Sequence, residues 1–210
     1  VRAEDAYLIR SSGVNVDEFT PRDVPLSDPP IVLMATRLVH DKGVSVFVEA
    51  ARILKQRGVA ASMQLAGGFS TSNPLAITEA EMKDMVADGS TEWLGRVSDM
   101  PALLAKTSLI AYPSHYREGV PKVLLEAAAM GKAIVTTDHP GCREAVRDGY
   151  NGLLVPIKDP TALADAIEKL LADPALREEM GKRSREMAVN EFSASLVTRE
   201  TLAVYTVSKA

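Results

Sequence analysis

Two glutamates, Glu118 and Glu126, are separated by seven intervening residues in the segment Glu118-Gly-Val-Pro-Lys-Val-Leu-Leu-Glu126. Glu126 falls among Val123, Leu124, Leu125 and Ala127 to Ala129, so its carboxylate must reach solvent or find a partner. A ribose diol is one such partner, since one carboxylate accepts two hydroxyl hydrogen bonds; a solvent-facing or capping role is the plainer alternative. Pro121 suits the first position of a helix, where its missing N–H costs nothing. Gly119 allows close backbone approach, so the N–H groups of Gly119 and Val120 could face a phosphate. Cationic residues recur at similar places: Arg37 and Arg117 follow short apolar runs and Lys42 opens the next helix. Gathered on one edge they would make an anion site, most simply for a diphosphate. Scattered, they would be ordinary loop-end charges.

The elements that would position these residues alternate. Ile31–Thr36, Met63–Ala66, Trp93–Val97, Ser108–Pro113, Ala133–Thr136 and Gly152–Val155 read as short buried strands. Helical spacing marks Val44 to Leu54, Thr78 to Ala87, Pro101 to Lys106, Pro121 to Met130, Cys142 to Arg147, Thr161 to Ala172, Ala175 to Asn190 and Ser195 to Val207. Such alternation calls for parallel strands joined by right-handed crossovers, an α/β Rossmann-like doubly wound sheet of about six strands with helices on both faces. Ligands of such sheets bind beyond the carboxyl ends of the strands, where all the polar clusters fall. Residues 1–30, with prolines at 21, 25, 29 and 30, read as a loop-like lead-in. The expected division is lead-in 1–30, a Rossmann-like domain 31–190 and a C-terminal helix 191–210.

Composition narrows the classes. The 210 residues carry 24 Lys+Arg against 28 Asp+Glu, a net charge of -4 with no long basic run, which argues against nucleic acid held by bulk charge. One cysteine, Cys142, excludes an internal disulfide and a multi-cysteine metal site. It reads as a packed thiol. His40 reads equally well as phosphate-reaching or as exposed filler, and His115 reads as a surface or backbone-bonding residue ahead of a functional one. No apolar stretch approaches the roughly 20 residues needed to span a bilayer. The opening Val1-Arg-Ala-Glu-Asp lacks an initiator methionine, as expected of a fragment of a longer protein.

The Glu118-x7-Glu126 segment resembles the signature of family 4 (group 1) retaining glycosyltransferases. Ser12-Gly-Val-Asn-Val-Asp-Glu-Phe19, Ala35-Thr-Arg-Leu-Val-His-Asp-Lys-Gly43, Leu94-Gly-Arg-Val97, Pro113-Ser114, Gly131 and Asn151-Gly-Leu-Leu-Val155 are similar to further family pieces in order and spacing. Ala35-Thr36 departs from the usual glycine-containing lead. The resemblance implies one half of a GT-B enzyme, the C-terminal donor-binding domain, with the acceptor-binding N-terminal half absent. It implies that Arg37 and Lys42 hold the donor diphosphate, Glu118 the donor sugar, the Gly119 and Val120 amides the phosphates, Glu126 the ribose, and Arg96-Val97 the base. Arg117 belongs to the same donor-binding set. Transfer would retain anomeric configuration with no metal ion and no cofactor beyond the nucleotide-sugar substrate, in keeping with the missing Asp-x-Asp motif. The long loop Gly67 to Thr78 resembles that of capsule, O-antigen and lipid-linked-oligosaccharide enzymes, which implies a UDP-sugar such as a UDP-N-acetylhexosamine. The implied partners are a nucleotide sugar and a cell-envelope glycan or lipid-linked acceptor, and the implied place is the cytoplasm, at the inner face of the membrane. A non-catalytic nucleotide-binding module and a GT-B UDP-N-acetylglucosamine epimerase are the competing readings.

Overall fold

The computed structural model describes residues 9, 11–70 and 73–207. Its strands are β1 (Ile31–Ala35), β2 (Ser62–Ala66), β3 (Glu92–Gly95), β4 (Leu109–Tyr112), β5 (Ala133–Thr137) and β6 (Gly152–Val155). All pair in parallel, in the order β3-β2-β1-β4-β5-β6. The helices are α1 (Val44–Gln56), α2 (Glu79–Val86), α3 (Met100–Lys106), α4 (Lys122–Ala129), α5 (Pro140–Ala145), α6 (Pro160–Ala172), α7 (Pro174–Glu191) and α8 (Ala194–Val207). This is a Rossmann-like doubly wound sheet, and its order reverses between β1 and β4. The crevice beyond those two strands is where such sheets take ligands.

The winding is written in the strand residues. Along β1, Val32 and Met34 face one side with Phe47 and Val48 of α1 and Leu163 and Ile167 of α6. Ile31, Leu33 and Ala35 face the other side with Leu124 and Leu125 of α4 and Leu104 of α3. Side chains alternate across a strand, so an unbroken apolar run feeds both layers at once. Each fully buried Leu, Ile, Val or Met contributes about 1.5–3 kcal/mol relative to its exposed state.

Several boundaries differ from the sequence reading. Pro121 is the N-cap of α4, with φ -62° and ψ 124°, not its first helical residue. The expected helix Cys142 to Arg147 begins two residues earlier and ends at Ala145, because Pro140 starts it and Val146 turns extended. β3 stops at Gly95, whose φ of 68° leaves the strand region, so Arg96 and Val97 lie in the loop beyond. The described part of the lead-in is tied down. Val14 N donates to Phe192 O (2.8 Å), Ala194 N donates to Val14 O (2.9 Å), and Arg185 Nη1 donates to the carbonyls of Val16, Phe19 and Ala129 at 2.8–3.0 Å. The last residues of the expected C-terminal helix, 208–210, lie outside the described residues.

Candidate functional site

At the switch point the loop after β1 meets the loop after β4. Gly43 makes the meeting possible. Its φ of 78° turns the chain from a 3-10 turn at His40–Lys42 into α1, and a methyl there would fall 2.1 Å from Pro113 O. Gly141 does the same for α5: a methyl would lie 2.3 Å from Gly119 O and 2.7 Å from Glu118 O. His115 reinforces the junction, its N–H donating to Asp41 O at 3.0 Å and its Nε2 standing 3.4 Å from Asp41 Oδ1. Burial, followed by the charge of Lys158, pushes the His115 imidazole below its ordinary range, with Asp41 pulling the other way.

Two pockets open on this edge. One, of about 230 Å³, lies between the ends of β1, β2 and β3 and the face of α4, lined by Thr36, Arg37, Gly67, Gly68, Arg96, Val97, Met100, Val123 and Glu126 among others. The other, of about 690 Å³, is lined by Arg117, Glu118, Gly119, His139 and Pro140. The Glu-x7-Glu segment thus sends its second carboxylate to the first pocket and its first to the second. Glu126 is mostly buried, and its carboxylate has Lys122 Nζ at 3.8 Å as its ion-pair partner. Burial pushes its carboxyl above the usual range, against the pull of Lys122. Gly119 has open space on its Cβ side, so ligand atoms can approach its backbone. The N–H groups of Gly119 and Val120 have no hydrogen-bond acceptor among the described residues.

Beneath the second pocket runs a polar network. Lys42 is almost fully buried and its Nζ donates to Glu118 Oε1. The Tyr112 hydroxyl donates to the same oxygen at 3.1 Å. The ammonium also lies over two aromatic rings, 4.8 Å from the centroid of Tyr116 and 5.8 Å from that of Tyr112. Thr136 Oγ1 donates to Tyr112 O (2.7 Å), and Thr137 Oγ1 donates to Ser114 O, fixing the end of β4 to β5. Cys142 is buried with Thr137 Oγ1 3.7 Å from its sulfur, and burial raises its thiol pKa.

The structure brings all the sequence-derived donor residues to one edge, but it groups them differently. Arg37 and Lys42 have different surroundings. Arg37 is exposed, lines the first pocket with Arg96, Val97 and Glu126, and makes no side-chain ion pair among the described residues. Lys42 pairs with Glu118, and Arg117 and Gly119 share the second pocket with that carboxylate. His40 faces Glu81, with Nε2 3.5 Å from Oε1. Sequence reasoning missed Tyr112, His139, Pro140 and Gly141. Tyr112 was hidden in an apolar strand; the His-Pro-Gly run at 139–141 was a visible signal of a close approach.

Residues 16–187 match the family described as glycosyl transferases group 1. The chain is 32% identical, over 94% of its length and 53% of the relative's, to N,N'-diacetylbacillosaminyl-diphospho-undecaprenol alpha-1,3-N-acetylgalactosaminyltransferase of Campylobacter jejuni. Its fold is similar to that of a glycosyltransferase from Rickettsia africae, with a TM-score of 0.82 at 24% identity over 92% of this chain and 55% of that one. It is also similar to Anabaena HepE, solved in complex with UDP, with a TM-score of 0.79 at 20% identity over 94% of this chain and 56% of that one. The chain spans about half the length of the curated relatives it matches. A match that runs through the Glu-x7-Glu segment and both pockets assigns the chain to a family: it belongs to the glycosyl transferases of group 1.

Proposed function

We propose that this chain is the donor-binding half of a GT-B enzyme. It would take a sugar from a nucleotide diphosphate sugar and pass it, with retention of configuration, to a cell-envelope glycan or lipid-linked acceptor held by a second half. The observation that carries this reading is the split of one segment between two neighbouring pockets: Glu126 with Arg37 and Arg96 in one, Glu118 with Arg117 and Gly119 in the other. The smaller pocket suits a nucleoside, its ribose hydroxyls donating to Glu126 and its base against the Arg96-Val97 backbone. The larger suits the sugar. Between them Arg37, Lys42 and the free amides of Gly119 and Val120 would hold the diphosphate and stabilise the charge that develops as it leaves, without a metal ion. The named activity of the Campylobacter relative supports an N-acetylhexosamine donor and a lipid-linked acceptor, and the UDP in HepE supports uridine. No described helix is long and apolar enough to cross a membrane. We place the enzyme in the cytoplasm at the inner membrane face, where nucleotide sugar and lipid-linked acceptor meet.

Calorimetry with UDP, GDP and ADP tests the reading. Glu126→Ala should weaken UDP binding about ten- to hundred-fold, the loss of a charged hydrogen-bond acceptor, and Glu118→Ala much less. Equal losses would refute the division of roles. Arg37 offers a second check. Its guanidinium is exposed and without an ion pair among the described residues, while Asp41, its nearest acidic neighbour in sequence, faces His115. The gain in affinity from UMP to UDP should therefore shrink in Arg37→Ala, and only partly return in Arg37→Lys, because one ammonium lacks the planar fork. An unchanged UDP-to-UMP ratio would remove Arg37 from the phosphate site.

A further inference from the structure

Tyr112 ends β4 and is 2% exposed. The rest of that strand, Leu109-Ile-Ala111, is apolar, and a phenylalanine would fill the same space. A buried phenol costs stability unless its hydroxyl is hydrogen-bonded, so the oxygen needs an account. Its surroundings supply one. The hydroxyl donates to Glu118 Oε1 at 3.1 Å. Burial, with the negative charge of Glu118 adding to it, pushes the phenol far above its ordinary range. It therefore stays protonated and remains a donor. Lys42 Nζ donates to that same carboxylate oxygen. Two donors on one oxygen, one on a rigid strand and one on a nearly buried stem, fix the plane of the carboxylate. Oε2 has no partner among the described residues, and the glutamate lines the pocket of Arg117, Gly119, His139 and Pro140.

We infer that Tyr112 is a positioning residue for sugar recognition: its hydroxyl and Lys42 hold Glu118 Oε1, leaving Oε2 aligned to accept a hydroxyl of the donor sugar. This rests on the reading that Glu118 serves the sugar and Glu126 the nucleoside. The inference adds that specificity for the sugar is set one layer below the pocket, by a side chain that touches no substrate. A carboxylate held by lysine alone can rotate about its terminal torsion, which is broad and soft. One held by two donors from different directions cannot.

The test is calorimetric titration of this chain with UDP and with UDP-N-acetylglucosamine, for wild type, Tyr112→Phe, Glu118→Gln and the double variant. Tyr112→Phe keeps the ring under Lys42 and should leave UDP affinity within about two-fold. It should weaken UDP-N-acetylglucosamine about three- to ten-fold, the range of one net hydrogen bond. In the Glu118→Gln background the same change should have no effect on the ratio of the two affinities, because the oxygen it organises has lost its charge and role. A merely structural tyrosine would weaken both ligands alike, in both backgrounds. If Glu118→Gln shifts the ratio and Tyr112→Phe does not, the inference fails while the reading of Glu118 stands. If neither shifts it, both fall. Should Tyr112→Phe lower thermal stability, titration well below its melting temperature keeps the ratio readable, and an equal weakening of both ligands would overturn a specific role for Tyr112.

Discussion

Replacing Lys42 with methionine is expected to remove UDP binding and to cost more stability than any other side-chain change in the site. The Lys42 side chain is 5% exposed and that of Glu118 25% exposed, so the pair is shielded on one side and wetted on the other. Breaking a buried pair by removing one partner costs about 3–5 kcal/mol, because the remaining charge is stranded. Solvent at Glu118 recovers part of that, which leaves an expected loss of about 2–3 kcal/mol in urea unfolding. For binding, the loss is compounded. The variant removes a cation proposed to meet the diphosphate and also unmasks Glu118, whose negative charge then faces the phosphates. Two such effects, each about 1.5–3 kcal/mol, lower UDP affinity by more than about a hundred-fold. Lys42→Met with Glu118→Gln should regain most of the stability and only that part of the binding lost to the unmasked carboxylate. A single variant as stable as wild type would show that the pair is not a structural contact. A double variant that binds UDP normally would remove Lys42 from the phosphate site.

Gly43→Ala is the second large effect, and it acts through the backbone. Alanine in the left-handed region costs about 1–2 kcal/mol, and a methyl 2.1 Å from Pro113 O cannot stay there. Something must move, and the contact is between two backbones, so the start of α1 must separate from the end of β4. Overpacking of this kind adds about 1–3 kcal/mol, which together predicts a fall in melting temperature on the order of 10 °C. Gly58 is the natural control, because its φ is 72° and a methyl added there would meet nothing within 4 Å. Gly58→Ala carries the strain without the collision, so its melting temperature should fall far less. Nucleotide binding should follow the same order, since separating the two loops pulls Lys42 from Glu118 and Tyr112. Matching melting temperatures for the two variants would refute the role given to the close approach.

Much of this was legible in the sequence, and the rest fails for identifiable reasons. The buried strands were readable because a parallel sheet covered on both faces needs continuous apolar runs, and Ile31–Ala35 and Ala133–Thr137 are such runs. The edge strand β3 was placed late because Leu94-Gly-Arg-Val97 looks apolar enough to continue, whereas Gly95 has already turned out of the strand. The start of α5 was missed at His139-Pro-Gly141, although proline at the head of a helix and glycine against a neighbouring backbone are both compatible with its first turn. That Arg37, Lys42, Glu118 and Glu126 share one edge follows from their places after strands. Which of them touch does not. Lys42 and Glu118 are 76 residues apart in sequence, and they meet because β1 lies beside β4 rather than because of any local pattern. The Tyr112 hydroxyl is the clearest case, one polar atom in an apolar strand whose partner only the crossover reveals.

The clasp at Val14 has an engineering consequence. Hydrogen bonds from Val14 to Phe192 and from Ala194 back to Val14 bring two points of the chain, on either side of the whole sheet, into one parallel bridge. A polypeptide that leaves a body almost where it entered can be spliced into a surface turn of an unrelated host without stretching either partner. Residues 14–194 therefore form a natural cassette. A reporter enzyme interrupted by this segment would keep its own two ends about as close together as the turn the insert replaces.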